Sequence, residues 1–423
     1  MKKILIISEL FEKGGAGNAS KNIFNFLKKN FDDVELLIPY ANNQKDTLKY
    51  YNFFSNIYYL LIKLLNRFIS IFISTNKFFF FQKFINMSLF KSENIKKKIY
   101  PFKPDVILIL WFEYILNFNE ILKIKNEFNA EIVIYPFDMY NFTGGCRYAQ
   151  ACQNYKNHCK QCPALKNKFQ SIAEKNFKNN RKLLSEINPK IIFPSIYAKE
   201  FTKQTNILDK KIKQYIIEYP VNIKIDNLNM DNTNELIEKI KAQSKNRKII
   251  FLGAQNLREW RKGIYNFCHL ISILKSKYKE LYKDLFFILV GEFSSSIFKD
   301  FQNNSFCINS VEHNDLIKLY AISDLTVIPS LQEWSSLMMS EVVKLNKFTI
   351  CFETGSSIDL IQQGVNGYIF NAYDYANIAK KINYYFTNPK LFLKKDYNKK
   401  DVSIAENKNN LYLKEQYINL LND

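Results

Sequence analysis

The stretch LTVIPSLQEWSSLMMSE, residues 325–341, decides how the chain folds. Its first five residues, 325–329, form the short apolar run of a strand covered on both faces. A loop follows from Ser330. Ser335 and Ser336 are both N-cap residue types, and a helix is expected over 335–345. Strand, loop and helix in that order make the repeating unit of a parallel α/β sheet. Upstream the unit recurs at 248–253 and 285–291, downstream at 348–352. An earlier series of strand runs lies at 3–8, 34–39, 105–110, 131–135 and 190–194. Helical patterns fall between most of them, for example at 19–29 and 262–278, and a last one at 405–421.

The two series restart across a polar, Asn- and Lys-rich stretch, so the boundary belongs there. The expected fold class is α/β, with two tandem doubly wound Rossmann-like domains facing a central cleft. Residues 1–218 form the first domain and 219–247 a linker. Residues 248–404 form the second domain, and a helix at 405–423 can pack back on the first. A length of 423 residues suits two or three domains at ~150 residues each. Ligands of such sheets bind outside the carboxyl ends of the strands.

The net charge of +20 is unevenly placed. Residues 47–104 hold ten Lys or Arg against Glu93 alone. Such a segment suits a phosphate-bearing partner. With 47% apolar residues the chain is not a disordered polyelectrolyte. The opening MKKILIIS reads as a first strand, with no secretory cleavage site behind it. Within 53–84, Lys63, Arg67, Lys77 and Lys83 interrupt every apolar run before the ~18 residues that a membrane span needs. A cytoplasmic protein is therefore expected.

Three motifs carry chemistry. Gly14-Gly15-Ala16-Gly17 follows the first strand and is read as a loop before a helix starting near Asn18. Backbone N–H groups there can approach a phosphate. In KIIFLGAQNLREWRKG, residues 248–263, a strand ends at Gly253 and the loop presents Arg258, Arg261 and Lys262. Cations at a strand's carboxyl end suit a diphosphate. The third motif pairs Glu333, just before a helix, with Glu341 inside it. Carboxylates there can accept hydrogen bonds from sugar hydroxyls, while the helix start faces anionic groups.

Together these residues resemble the family 4, or group 1, retaining glycosyltransferases of GT-B fold. Glu333 to Glu341 resembles the family's E-x7-E signature, Lys262-Gly263 its diphosphate lysine and glycine, and 352–370 its following G-x-x-G-Y stretch. Residues 138–163 resemble a cysteine-bearing insert of a polysaccharide-building subgroup. The resemblance implies that Glu341 holds the nucleotide ribose, Glu333 the donor sugar, and Lys262 with Arg261 or Arg258 the leaving diphosphate. Gly15, Gly17, Ser335, Ser336 and Leu337 are the further donor-binding residues, and Asp138 joins the catalytic group. No metal is required for such catalysis. The implied partners are a nucleotide-sugar donor and a polyprenyl-diphosphate-linked saccharide acceptor in cell-surface polysaccharide biosynthesis. Two positions depart from the family: Ala254 stands at its usual arginine, and Phe137 at the histidine usual before Asp138. The second departure leaves open a catalytically impaired partner of another transferase. A nucleic-acid-binding protein is a weaker alternative, since no RNA- or DNA-binding signature accompanies the charge.

Two further segments keep several readings. Cys146, Cys152, Cys159 and Cys162 within the insert 138–165 suit a structural zinc site, free or paired thiols, or a redox pair. The basic aromatic segment suits either a buried helix pair or an amphipathic helix lying on an anionic membrane surface. In the second reading Phe78 to Phe81 insert their rings and Lys96, Lys97 and Lys98 bind headgroups, placing the protein peripherally on the inner face of the cytoplasmic membrane.

Overall fold

The computed structural model describes residues 2–12, 14–38, 47–49, 53–75, 81, 92–221, 223, 235–292, 304–389 and 399–423. The chain divides into two compact units, Met1–Pro220 with Leu413–Asp423, and Val221–Tyr412.

In the first unit the strands are β1 (Ile4–Ile7), β2 (Val34–Ile38), β3 (Thr47–Lys49), β4 (Val106–Ile109), β5 (Glu131–Ile134), β6 (Lys190–Phe193) and β7 (Gln214–Ile216). They lie in the order β3-β2-β1-β4-β5-β6-β7, every pairing parallel. The second unit has β8 (Lys248–Asn256), β9 (Leu285–Glu292), β10 (Ser305–Ile308), β11 (Leu325–Ile328), β12 (Thr349–Phe352) and β13 (Gly367–Phe370). Their order is β10-β9-β8-β11-β12-β13, again parallel throughout. Two doubly wound α/β sheets are thus present, as the apolar runs indicated.

The second unit shows why those runs are continuous. Alternate strand residues point to opposite faces. Ile250, Leu252, Phe287 and Leu289 pack on one side with Phe267, Ile271 and Leu274 of the helix Ile264–Lys277. Ile249, Phe251, Phe286 and Ile288 pack on the other with Ile317 and Leu319 of the helix His313–Ile322. With helices on both faces, both sets of alternating strand positions are filled by apolar residues.

Three expectations need correction. The stretch 219–247 is not all linker: it contains the helix Glu235–Ser244, whose Ile237 and Ile240 are buried in the second unit's core. The helix Gly14–Asn30 begins at Gly14, so the glycines form its first turn and not a loop before it. A Cβ at Gly17 would crowd the Glu12 nitrogen at 3.1 Å, whereas Gly15 has open space. Finally, the last helix begins at Lys399. Its Leu413, Tyr417 and Leu420 are buried. Tyr417 packs on Phe26 at 5.7 Å between ring centroids, and Lys190 donates to the Leu420 carbonyl at 2.7 Å, both within the first unit.

Candidate active site

In each sheet the chain reverses its direction of travel once, between β1 and β4 and between β8 and β11. Crevices at such switch points are where doubly wound sheets bind ligands. In the second unit, the loop after β8 carries Arg261 and Lys262 in a 3-10 turn, Trp260–Lys262. Gly263 then starts the next helix at φ +74°. A Cβ at Gly263 would fall 1.8 Å from the Pro329 carbonyl oxygen, so only glycine lets this loop close on the loop after β11. The Leu331 N–H donates to the Arg261 carbonyl at 2.6 Å and joins the two loops directly.

Three expected residues meet at that junction. Lys262 Nζ lies 2.5 Å from Glu333 Oε1, and Arg261 lies 3.0 Å from Glu333 Oε2. Arg261 also pairs with Glu259 at 2.9 Å. Glu333 is 6% exposed, and its N–H donates to the Thr354 hydroxyl at 2.9 Å. Burial alone would raise the Glu333 carboxyl. The charges of Lys262 and Arg261, with hydrogen bonds from Lys262 and Ser330, outweigh it and hold the carboxyl below its ordinary range. Burial, then the neighbouring charge of Arg261, pull the Lys262 ammonium down against the support of Glu333 and Glu259. Lys262 and Arg261 thus face two carboxylates, Glu333 and Glu259, so an anion reaches the cations by sharing or displacing those pairings. Arg258, on the same loop, is exposed.

The helix Leu337–Lys344 is capped by the Ser336 hydroxyl, which accepts from the Met339 N–H at 3.3 Å. Ser335, Ser336 and Leu337 are half-buried around this start. Glu341, on the same helix, is buried, and its Oε1 lies 2.7 Å from His313 Nε2. Sequence reasoning gave His313 no role. The signal available was only that it is one of three histidines.

The remaining site residues belong to the first unit. Asp138, just past β5, is buried and accepts from the Tyr140 N–H at 2.9 Å. Phe137 packs in an aromatic cluster with Trp111, Tyr135 and Tyr219, its ring 5.2 Å from that of Tyr219. Beside them lies an unanticipated network. Arg147 donates to Glu113, lies 3.8 Å from Asp138 Oδ2, and stacks on Trp111 at 4.5 Å. Glu9, just past β1, is buried and accepts from Tyr59 at 2.6 Å and from the Tyr114 N–H at 2.9 Å. Burial pushes the Glu113 carboxyl up, Arg147 pulls it back, and Glu9 and Asp138 add to the rise.

The four clustered cysteines, the expected ligands of a metal ion, lie near one another, Cys152, Cys159 and Cys162 all raising the pKa of Cys146. Among the described residues, no group of three or more His, Cys, Asp or Glu is placed to hold one. The Cys146 thiol donates to Cys162, which with burial keeps Cys146 protonated and lowers Cys162. The Cys159 sulfur takes the Gly144 N–H at 3.1 Å, and the Cys152 sulfur the Asn154 N–H at 3.4 Å. The thiols thus bond to one another and to backbone, and Cys159 in turn feels Cys152 and Cys162.

The basic aromatic segment is also more specific than expected. The helix Phe53–Ile73 buries Tyr59, Ile62 and Asn66. It exposes Leu60, Leu61, Leu64, Phe68, Ile71 and Phe72, each by more than half. Lys63 turns inward, 3.5 Å from Glu9, and Lys96 pairs with Glu127 at 2.6 Å. Phe81 is buried, and Phe78, Phe79 and Phe80 lie outside the described residues. No described helix is long and apolar enough to cross a membrane.

Residues 232–402, less than half of the chain, match the family model of the glycosyl transferases group 1. A search of curated proteins gave no match. Among solved structures, a sucrose-phosphate synthase from Thermosynechococcus elongatus superposes with a TM-score of 0.64 at 13% identity, covering 100% of this chain and 99% of that one. A glycosyltransferase from Rickettsia africae gives 0.62 at 15% identity over 99% and 97%. HepE of Anabaena, solved with UDP-glucose, gives 0.61 at 12% identity over 100% of both chains. The second unit is thus similar to the glycosyl transferases group 1, and the chain as a whole has the GT-B fold.

Proposed function

We propose that the protein is a retaining glycosyltransferase, moving a sugar from a nucleotide-diphosphate-sugar to a growing lipid-linked saccharide in cell-surface polysaccharide biosynthesis. The observation that carries this reading is the meeting of Arg261, Lys262 and Glu333 at the switch point of the second unit. Lys262 and Arg261 stabilise the charge that develops on the leaving diphosphate, commonly the largest catalytic contribution. To do so they give up part of their pairing with Glu333. The anion that displaces the carboxylate thereby frees it to accept hydrogen bonds from donor-sugar hydroxyls. Glu341 takes the ribose diol. Solved relatives of this fold include proteins bound to UDP and UDP-glucose, so UDP-sugars are the first donors to try.

The test is nucleotide release from a panel of UDP- and GDP-sugars with a polyprenyl-diphosphate saccharide acceptor. One donor is expected to turn over and Glu341→Ala to abolish it. Nucleotide binding without turnover of any donor would instead favour a catalytically impaired partner, the reading that Phe137 supports.

The acceptor's lipid and the exposed face of the helix Phe53–Ile73 argue for work at an anionic membrane surface, on the cytoplasmic side. An apolar helix face of this kind lies well in the headgroup boundary. Flotation with vesicles containing anionic lipid is expected to carry the wild type, and Leu64→Glu with Phe68→Glu to release it while nucleotide binding persists. Equal flotation of wild type and variant would reject this surface.

A further inference from the structure

Glu341 is buried, but the imidazole that meets it is not: the His313 side chain is 40% exposed, against 6% for that of Glu341. His313 opens the helix His313–Ile322, and its ring thus spans from solvent to a carboxylate beneath. Tyr320, two turns along the same helix, also hydrogen-bonds Glu341, and its phenol is held well above its ordinary range by burial and by that carboxylate. One helix therefore brings two side chains to the carboxylate of another.

A carboxylate that is to take both hydroxyls of a cis-diol must present its oxygens in a fixed plane. A glutamate has three side-chain torsions and loses considerable rotamer freedom when so fixed. His313 and Tyr320 supply that restraint in advance, so that the nucleotide does not have to impose it on binding.

We propose that His313 is a positioning residue for ribose recognition: by holding Glu341 Oε1 at 2.7 Å it sets the carboxylate plane that distinguishes a ribonucleoside diphosphate from its 2′-deoxy counterpart. The proposal rests on Glu341 receiving the ribose, as set out above. Preorganisation of this kind acts on discrimination more than on affinity for the phosphates, which belong to Lys262 and Arg261.

The experiment is equilibrium binding of UDP and of 2′-deoxy-UDP to the full chain and to three variants. Loss of a hydrogen bond from the diol to a charged acceptor is expected to give the wild type a preference for UDP of about tenfold or more. His313→Ala is expected to reduce that preference to below about threefold by weakening UDP binding, with 2′-deoxy-UDP binding unchanged. His313→Gln, whose amide N–H can reach the same oxygen, is expected to restore most of it. Glu341→Gln is expected to remove the preference whatever stands at 313. A wild type that prefers UDP, with His313→Ala equally selective, overturns the proposal and leaves the ribose role of Glu341 standing. A wild type without preference overturns that role, and the proposal with it. Melting temperatures measured alongside separate both results from misfolding: His313→Gln, at a half-exposed helix start, serves as the folded comparison if His313→Ala does not fold.

Discussion

Replacing Lys262 by alanine is expected to lower turnover of the donor sugar by ~10²–10³-fold, the range typical for removing one preorganised group from a developing charge. The geometry adds a reason beyond the missing cation. Glu333 is buried between Lys262 and Arg261, and without Lys262 its carboxylate keeps Arg261 as its cation, with the hydrogen bond from Ser330. Arg261 is then drawn further toward Glu333 and becomes less available to the diphosphate. Lys262→Arg tests the point: it keeps the charge but offers a planar fork where the structure seats a compact ammonium, and only partial recovery is expected. Single-turnover kinetics at saturating donor measure the effect. A Lys262→Ala enzyme within threefold of wild type would mean that the diphosphate is held elsewhere.

Replacing Arg147 by methionine is expected to destabilise the first unit by about 3–5 kcal/mol near neutral pH, the usual cost of leaving buried charge unpaired. Glu113 and Asp138 both look to Arg147, and Glu9 lies near enough to raise Glu113 further. The sign of the pH dependence follows. Folding raises the Glu113 pKa, to about 7 with Arg147 in place. Its contribution is therefore fully present below the unfolded carboxyl value of ~4.3 and is lost as pH rises through the folded value. Removing the cation moves the folded value higher still, so Arg147→Met is expected to lose most near pH 8 and least near pH 4. Urea unfolding across that range reads the effect, and Glu113→Gln in the same background is expected to recover part of the loss. A pH-independent deficit would show that Arg147 acts through its stacking on Trp111 alone.

The sequence was legible where burial is symmetric. The central strands lie between two helical layers and so read as unbroken apolar runs. The strands that escaped notice, β3, β7, β10 and β13, are the four sheet edges. Edges meet a neighbour on one side only, and β7 and β10 have no fully buried residue, so no apolar run marks them. The candidate site divides in the same way. Lys262, Glu333 and Glu341 sit at fixed offsets from strand ends and could be read from spacing. His313 meets Glu341 from 28 residues away, and Arg147 meets Glu113 from 34. No local pattern encodes such pairings. The same limit explains Lys63 and Lys96: each counts as surface charge in the sequence, and each has a carboxylate partner in the fold, Glu9 and Glu127.

The last helix has a consequence for the order of events during synthesis. The first unit is built from residues 1–220 and completed by 413–423. Tyr417 and Leu420, buried in that unit, leave the ribosome only after all of 221–412 has been made. Domains of large chains generally fold as units as they emerge. Here the earlier unit waits for its closing segment while the later one can already be folded. A nascent chain stalled before residue 413 would therefore carry an incomplete amino-terminal half, with the apolar seat around Phe26 open to chaperones or to proteolysis.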